Sequence, residues 1–286
     1  MKFAPDNGPM TLIHSTEQLL VWRSSLVDKP IALVPTMGAL HSGHTALVNQ
    51  AARQCDIVVV SIFVNALQFT DDVDFAKYPR SLESDYEESI RAGASLVFAP
   101  SSQDMFPADF DDYITPTALA NSFEGASRPG HFAGVVTVVH RLFNLIQPHI
   151  AIFGAKDFQQ VAVIRAMAAT LHPTTEIYSA DTVRDTDGLA LSSRNARLSP
   201  TARKQARVIP AALFAMRNLF DSGQTDSSIL KQMARDTLIS EPHLHVEYLE
   251  IVGSDSLEPQ DDARTAVVLF AGNINGVRLI DNIQLH

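Results

Sequence analysis

The sequence predicts an α/β fold, a parallel sheet with helices on both faces, followed by a smaller α+β domain at its C-terminal end. Three observations carry this expectation. Short β-branched and aromatic runs alternate with helix-like runs up to about Val183, and repeated β-then-α order means a parallel, helix-flanked sheet. The run 57–64 is almost wholly β-branched or aromatic and is bounded by Asp56 and Asn65, as expected of a strand covered on both faces. After Val183 the order changes to two helix-like stretches and then three strand-like runs.

Taken in order, residues 31–35 are apolar and open into a turn containing Met37 and Gly38, followed by a helix-like run over 43–53. After the strand at 57–64, a charged helix-like run at 81–91 leads to a short strand at 96–99. Residues 131–146 carry apolar side chains at helical spacing, 150–153 read as a strand, 158–170 as a helix and 176–179 as a strand. In the second part, 200–221 is helix-like with an interruption at Pro210, and 226–239 is a further helix. Strand-like runs cover 244–252, 265–271 and 277–283. Gly272, Asn273, Ile274, Asn275 and Gly276 join the last two, a composition suited to a hairpin turn. The expected domains are 1–183 and 184–286.

A chain of 286 residues can bury one large core or two moderate ones, of which two is the expectation, and 46% hydrophobic with 19% charged residues is an ordinary globular composition. A net charge of -10 argues against a protein whose main task is gripping nucleic acid, since that binding rests on clustered Lys and Arg. It leaves ATP open, which needs only a few positive groups in one pocket. The single cysteine, Cys55, rules out an internal disulfide and an all-cysteine zinc site, and fits a reducing compartment. Residues 1–10 lack the apolar run of a signal peptide, and no stretch reaches membrane-spanning length. The expected location is cytoplasmic, without a membrane partner.

Chemistry-bearing residues gather where predicted strands end. The segment from Pro35 to His44 leaves a strand, passes Gly38 and sets His41 and His44 around Gly43 at the start of a helix. Helix N-termini present unsatisfied N–H groups and a positive dipole end, which favour phosphate. Two imidazoles there could stabilise a phosphate as charge builds during loss of pyrophosphate; a pair of turn histidines at a helix cap is the plainer alternative. Asn65 and Gln68 fall at the carboxyl end of the next strand, where open α/β sheets bind ligands. Neutral amides there suit a carboxylate or hydroxyl.

Residues 124–134 form a glycine-rich loop with Glu124, Arg128 and His131, able to cradle an anion and equally able to be an ordinary loop. Gly154, Ala155, Lys156 and Asp157 repeat the passage from strand to helix. Lys156 suits a phosphate as a mobile point charge, Asp157 suits a helix cap, and Gln160 lies one helical turn beyond it. Val183, Arg184 and Asp185, then Leu191, Ser192, Ser193, Arg194 and Asn195, put two hydroxyls and an arginine near the domain junction. Such groups can clamp a polyphosphate. No pair of histidines has metal-ligand spacing, and neither a glycine-flanked nucleophile serine nor the lysine-containing phosphate loop occurs.

Together these segments resemble the pantothenate synthetase (pantoate–β-alanine ligase) family of the nucleotidylyltransferase superfamily with the histidine–glycine–histidine signature. The resemblance runs from about Leu33 to Asn282 in five ordered motifs, with Tyr78, Pro79 and Arg80 and the terminal Arg278, Leu279, Ile280, Asp281 and Asn282 in addition. It implies a Rossmann-like N-terminal domain, a smaller C-terminal lid domain and a homodimer. The implied reaction converts ATP and pantoate to pantoyl-adenylate and pyrophosphate, after which β-alanine displaces AMP to give pantothenate. Mg2+ accompanies the ATP.

By matched position, the resemblance implies that Met37, Gly38, Ala39, Leu40, His41, Ser42, Gly43 and His44 contact ATP. Gly154, Ala155, Lys156, Asp157, Val183, Leu191, Ser192, Ser193 and Arg194 surround the nucleotide. His41, His44, Lys156 and Arg194 form the implied catalytic set, with His44 as proton donor or phosphate stabiliser. Gln68, Gln160 and Asn65 are the implied pantoate residues, Gln68 lying close to β-alanine, and Asp85 is the magnesium-side acid. Two positions depart from the family pattern: Ala66 stands where proline is usual, and Ala155 where glutamate or glutamine is common. An enzyme adenylating a phosphate monoester would keep the histidines but have no need of Gln68 and Gln160. An aminoacyl-tRNA synthetase would share the nucleotide site, but the acidic balance counts against it.

Overall fold

The computed structural model describes residues 11–26 and 29–286. The reading of residues 1–10 as lacking a signal peptide lies outside them. Up to residue 181 the chain forms β1 (Thr11–Ile13), α1 (Thr16–Ser24), β2 (Ile31–Thr36), α2 (Ser42–Gln54), β3 (Ile57–Ile62), α3 (Asp72–Lys77), α4 (Leu82–Arg91) and β4 (Leu96–Phe98). The short helices α5 (Ser102–Met105) and α6 (Glu124–Ser127) come next, then α7 (His131–Ile146), β5 (Ile150–Gly154), α8 (Phe158–Leu171) and β6 (Glu176–Ala180). The remainder holds α9 (Pro200–Ala206), α10 (Val208–Asp221), α11 (Ser227–Leu238), β7 (Leu244–Gly253), β8 (Ala266–Ile274) and β9 (Val277–Leu285).

Two compact units result, one of Met1–Ala155 with Gln159–Asp181, the other of Lys156–Phe158 with Thr182–His286. Thr182 and Val183 group with the second unit, and so does the segment Lys156–Phe158, which no single cut in the chain captures.

In the first unit six strands pair in the order β1-β4-β3-β2-β5-β6, every pair parallel. The period-2 alternation of a strand sorts its side chains onto two faces. Ile31 and Leu33 of β2, Val59 of β3 and Ala151 and Phe153 of β5 join a core with α1, α7 and α8. Ala32, Val34, Val58, Val60, Ile150 and Ile152 join the opposite core with Leu47, Val48 and Ala51 of α2. Both faces are therefore apolar, which is why these strands read as continuous hydrophobic runs. From β2 the chain steps one way to β3 and β4, whereas β5 and β6 lie on the other side of β2. The carboxyl ends of β2 and β5 thus flank the switch point where such sheets bind ligands.

Departures from the sequence reading are local. It contains neither β1 nor α1; three residues are too few to display alternation, yet Thr11, Leu12 and Ile13 pair with Leu96, Val97 and Phe98. β3 stops at Ile62: Phe63 N–H makes the last rung to β2, donating to the Thr36 carbonyl (3.1 Å), and Asn65 then starts a tight turn. The helix break falls at Arg207 rather than Pro210. Pro210 is the third residue of α10, where its missing N–H would have lacked an intrahelical partner anyway.

The second unit packs α10 and α11 on an antiparallel β7-β8-β9 sheet, with Leu213, Met216, Leu230, Val268 and Phe270 in one core. β8 and β9 extend into the expected five-residue turn, leaving only Asn275 and Gly276 between them at φ 50° and 85°. Positive φ at both positions is what the type I′ hairpin requires. Among the described residues no helix is long and apolar enough to cross a membrane.

Candidate active site

The turn after β2 is held from beneath by Asp85. Gly38 (φ 79°) and Ala39 (φ 51°) are both left-handed, so the chain swings back over α4. The Asp85 carboxylate accepts from Ala39 N–H (2.9 Å) and Leu40 N–H (2.7 Å) and from Ser81 Oγ (3.3 Å). A Cβ on Gly38 would lie 2.8 Å from Asp85 Oδ2 and 3.1 Å from Ile62 Cγ2. Glycine is thus required twice over, by angle and by space. Thr36 Oγ1 donates to the Ser61 carbonyl (2.7 Å) and accepts from Gly38 N–H (3.2 Å), tying the turn to β3.

The turn delivers two imidazoles to the N-terminus of α2. His41 is the N-cap; its Nδ1 accepts from Gly43 N–H at 3.1 Å. His44 reaches back, and its Nδ1 accepts from His41 N–H at 3.3 Å. The rings lie 4.1 Å apart, tilted by 36°. Because each Nδ1 is an acceptor, each neutral ring carries its proton on Nε2. The cap therefore fixes the tautomer and turns both histidines into Nε2–H donors at a helix end that already favours anions.

Asn65 and Gln68 are 1% and 8% exposed at the end of β3. Asn65 caps a 3-10 turn over Ala66–Gln68, its Oδ1 accepting from Leu67 N–H (3.2 Å). Its amide nitrogen donates to Gly134 O (3.0 Å) and to Gln68 Oε1 (3.2 Å). With that oxygen occupied, Gln68 presents Nε2, which donates to Met37 Sδ at 2.9 Å. The amide pair and the phosphate-type turn thus meet at Met37. The loop carrying Arg128 and His131 acts on the same place: the Gln68 carbonyl lies 2.6 Å from His131 Nδ1 and accepts from Arg128 Nη2 (3.4 Å). Of the two glutamines opening α8, Gln159 is buried, donating to the carbonyls of Leu119 and Ser122 and accepting from Glu124 N–H. Gln160 is half-buried.

In the second unit Lys156 Nζ lies 3.7 Å from Asp157 Oδ1, and the lysine side chain is 18% exposed. Leu191 N–H donates to the Val183 carbonyl (3.0 Å), closing a narrow loop. Ser192 caps the 3-10 turn Ser193–Arg197 by accepting from Arg194 N–H (3.2 Å). The Ser192 hydroxyl is thereby committed in part to the turn that carries Arg194, a half-buried arginine.

A sequence profile described as pantoate-beta-alanine ligase matches residues 11–284. The chain belongs to the pantoate–beta-alanine ligase family. The pantothenate synthetase of Deinococcus radiodurans is 46% identical over 262 residues, 89% of this chain and 93% of that protein. That of Geotalea uraniireducens is 44% identical over 280 residues, 96% and 99% of the two chains. Among solved structures, pantothenate synthetase from Thermus thermophilus superposes with a TM-score of 0.91 at 42% identity, covering 97% of this chain and 100% of that one. Pantoate-beta-alanine ligase from Francisella tularensis, complexed with beta-gamma ATP and beta-alanine, gives 0.81 at 33% identity, covering 96% and 97%. Members of this family are ligases forming a carbon–nitrogen bond.

For this member of the pantoate–beta-alanine ligase family, motif reading missed what Thr36, Gly134 and Gln159 do. A Cβ on Gly134 would come within 2.3 Å of the Leu67 carbonyl group, so α7 presses its bare backbone on the turn carrying Gln68. The glycine was visible in the sequence; the closeness of two segments so far apart in the chain was not. Asp85, expected as the magnesium-side acid, is 2% exposed with both carboxylate oxygens accepting backbone N–H groups. Among the described residues no group of three His, Cys, Asp or Glu side chains could hold a metal ion. The described residues thus hold no ready-made cage of three such side chains for magnesium.

Proposed function

We propose that this chain joins pantoate to β-alanine at the expense of ATP, through pantoyl-adenylate. A pantoate carboxylate oxygen attacks the α-phosphorus, the bond to the bridging oxygen breaks, and pyrophosphate leaves. The β-alanine amine, once deprotonated, then attacks the acyl carbon; the acyl–oxygen bond breaks and AMP departs with that oxygen. No covalent enzyme intermediate is needed, so the protein's task is positioning and charge stabilisation.

The observation that carries this reading is the junction at Met37. Gln68 Nε2 contacts Met37 Sδ at 2.9 Å, and Met37 directly precedes the turn leading to His41 and His44. Neutral amides suited to a hydroxy acid therefore adjoin donors suited to phosphate. Asn65, Gln68 and Gln160 are assigned to pantoate, and residues 37–44 to ATP, with His41 and His44 donating through Nε2 to the phosphates. Lys156 and Arg194 are assigned to the charge of the departing pyrophosphate. Gly154, Ala155, Asp157, Val183, Leu191, Ser192 and Ser193 are assigned to the nucleotide's surroundings. Mg2+ is read as entering with the triphosphate, since magnesium is usually held by substrate phosphates and water; bound there, it would offset phosphate charge. A cytoplasmic setting and a homodimer belong to the same proposal.

The test is to incubate the protein with ATP, Mg2+, β-alanine and pantoate carrying heavy oxygen in its carboxylate. Equal amounts of AMP and pantothenate, with one heavy oxygen in AMP, are expected. Heavy oxygen in inorganic phosphate with ADP as coproduct would mean an acyl-phosphate route.

A further inference from the structure

The terminal motif Asp281-Asn282 has no role in the chemistry above, yet β9 buries both residues, at 4% and 5% exposure. Buried polar groups need partners, and Arg184 supplies most of them. Its guanidinium gives Asp281 two parallel bonds, Nη1 to Oδ2 at 2.7 Å and Nη2 to Oδ1 at 2.9 Å. It also donates to the carbonyls of Gly188 (3.1 Å) and Asn282 (3.0 Å), and lies over the Phe214 ring, 5.0 Å from its centre. Asn282 N–H donates to Asp281 Oδ1 at 2.8 Å. The Asn282 side chain is thus held on a rigid base, and its Nδ2 donates to the Lys156 carbonyl at 2.8 Å.

A buried ion pair is a costly means to stability, since apolar residues of similar volume are often as good or better. Burial pushes the Asp281 carboxyl up from its ordinary range, against the pull of Arg184. Such an arrangement is better suited to fixing a position. Lysine needs it more than arginine does: its charge sits on a flexible four-carbon stem, so the place from which the stem starts decides where the ammonium can reach.

We propose that Asn282, held by Arg184 and Asp281, is a positioning residue that sets the backbone of Lys156 for its contact with the ATP phosphates. The inference rests on the assignment of Lys156 to phosphate. Its test is a double-mutant cycle on pantoate-dependent exchange of pyrophosphate with ATP, comparing the parent protein, Asn282→Ala, Lys156→Ala and the double variant. Asn282→Ala should lower the exchange kcat on the order of 100-fold, the scale of a small misplacement, with the pantoate KM unchanged. In the Lys156→Ala background the same substitution should cost nothing further, because residues acting as one unit are not additive. Should Asn282→Ala not fold, Asn282→Leu keeps much of the volume and removes the donor without adding a buried charge, and the same pattern is expected of it. Full additivity, or normal exchange in the Asn282 variants while Lys156→Ala is crippled, overturns this inference alone. Normal exchange in Lys156→Ala overturns the assignment of Lys156 and the inference with it.

Discussion

His41 and His44 cap the same helix reciprocally, each through Nδ1: Gly43 N–H donates to His41, and His41 N–H donates to His44. The two readings open to the sequence, a phosphate-stabilising pair and a mere helix cap, are therefore not rivals. The cap holds the rings in the tautomer that donates from Nε2.

This separates stability from turnover at His44. His44→Ala removes its half of the capping box, the bond from His41 N–H, together with the donor, and should cost about 0.5–1.5 kcal/mol of stability, the size of one hydrogen bond. The turnover loss should be larger, about 2.7–4 kcal/mol of barrier. His44→Gln puts at the third helical position the residue type that capping boxes favour. It should hold stability near that of the parent while turnover stays low. Denaturant melts beside initial rates check this; full turnover in His44→Gln would remove the histidine from the chemistry.

Gly134→Ala tests the seat of the substrate turn. Within a helix, alanine is normally better than glycine by about 0.8–1.0 kcal/mol. Here the added methyl would meet Leu67 at 2.3 Å, so the turn holding Gln68 must move. Loss of stability and a raised pantoate KM, with the ATP KM little changed, are expected. A simple gain in stability would mean that the turn and α7 are not in contact.

Asp85→Ala should unpair the half-buried N–H groups of Ala39 and Leu40, at a cost of up to about 1–3 kcal/mol for each group that water does not reach, and weaken ATP binding. Chelation with EDTA should leave the melting temperature of the nucleotide-free protein unchanged. An EDTA-induced drop that Asp85→Ala abolishes would make the residue a resident metal ligand.

Acid stability should depend on a histidine pair distant in sequence. His172 Nε2 lies 2.8 Å from His140 Nδ1, and His140 Nε2 lies 2.9 Å from both Asp112 Oδ2 and Asn144 Nδ2. Burial first, then His140, lowers the His172 pKa below its usual 6.5, with Asp112 pulling the other way. Protons then prefer the unfolded chain, so this contribution is full above 6.5 and is lost as pH falls through the lower folded value. His172→Gln keeps a donor toward His140 without the titration, and should flatten the fall of urea midpoints as pH drops below 6.5. Equal acid loss in both proteins would place the titration elsewhere.

What the sequence made legible follows from the range of the interactions involved. Alternating β and α patterns are local, so the parallel sheet was readable, as was the strand–turn–helix passage carrying His41 and His44. Asp85 was visible as an acid but not as the support of the Gly38 turn, because that bond joins residues 46 positions apart. Gln159 and Gln160 are adjacent residues of one type, and although matched position singles out Gln160, only packing commits Gln159 to the loop at 119–124. The hairpin turn reads too long in the sequence because Gly272 has the character of a turn residue. A Cβ there would lie 3.0 Å from the His245 carbonyl and 2.8 Å from the Phe270 ring, so this glycine serves close approach within the sheet.

The departure at Ala66 gives the last prediction. Proline would fix φ near about -65° at this position and press the preceding residue toward an extended conformation. Asn65 is already extended, at φ -81° and ψ 107°. Ala66 opens the 3-10 turn, and the first position of a helical turn is where proline's missing N–H is tolerated. The residue is exposed, which leaves room for the ring. The hydrogen bonds that hold the turn start from Leu67 N–H, Gln68 N–H and the Asn65 amide, and Ala66→Pro spares all of them. The substitution should therefore stabilise the fold by about 0.4–1 kcal/mol by lowering the entropy of the unfolded chain. Turnover should be kept, and the pantoate KM should hold or fall slightly, because Gln68 is carried by a stiffer turn. Urea denaturation and pantoate kinetics on both proteins are the measurement. A loss of stability joined to weaker pantoate binding would show that the turn needs a freedom at Ala66 that proline removes, and the assignment of Asn65 and Gln68 to pantoate would lose its geometric basis.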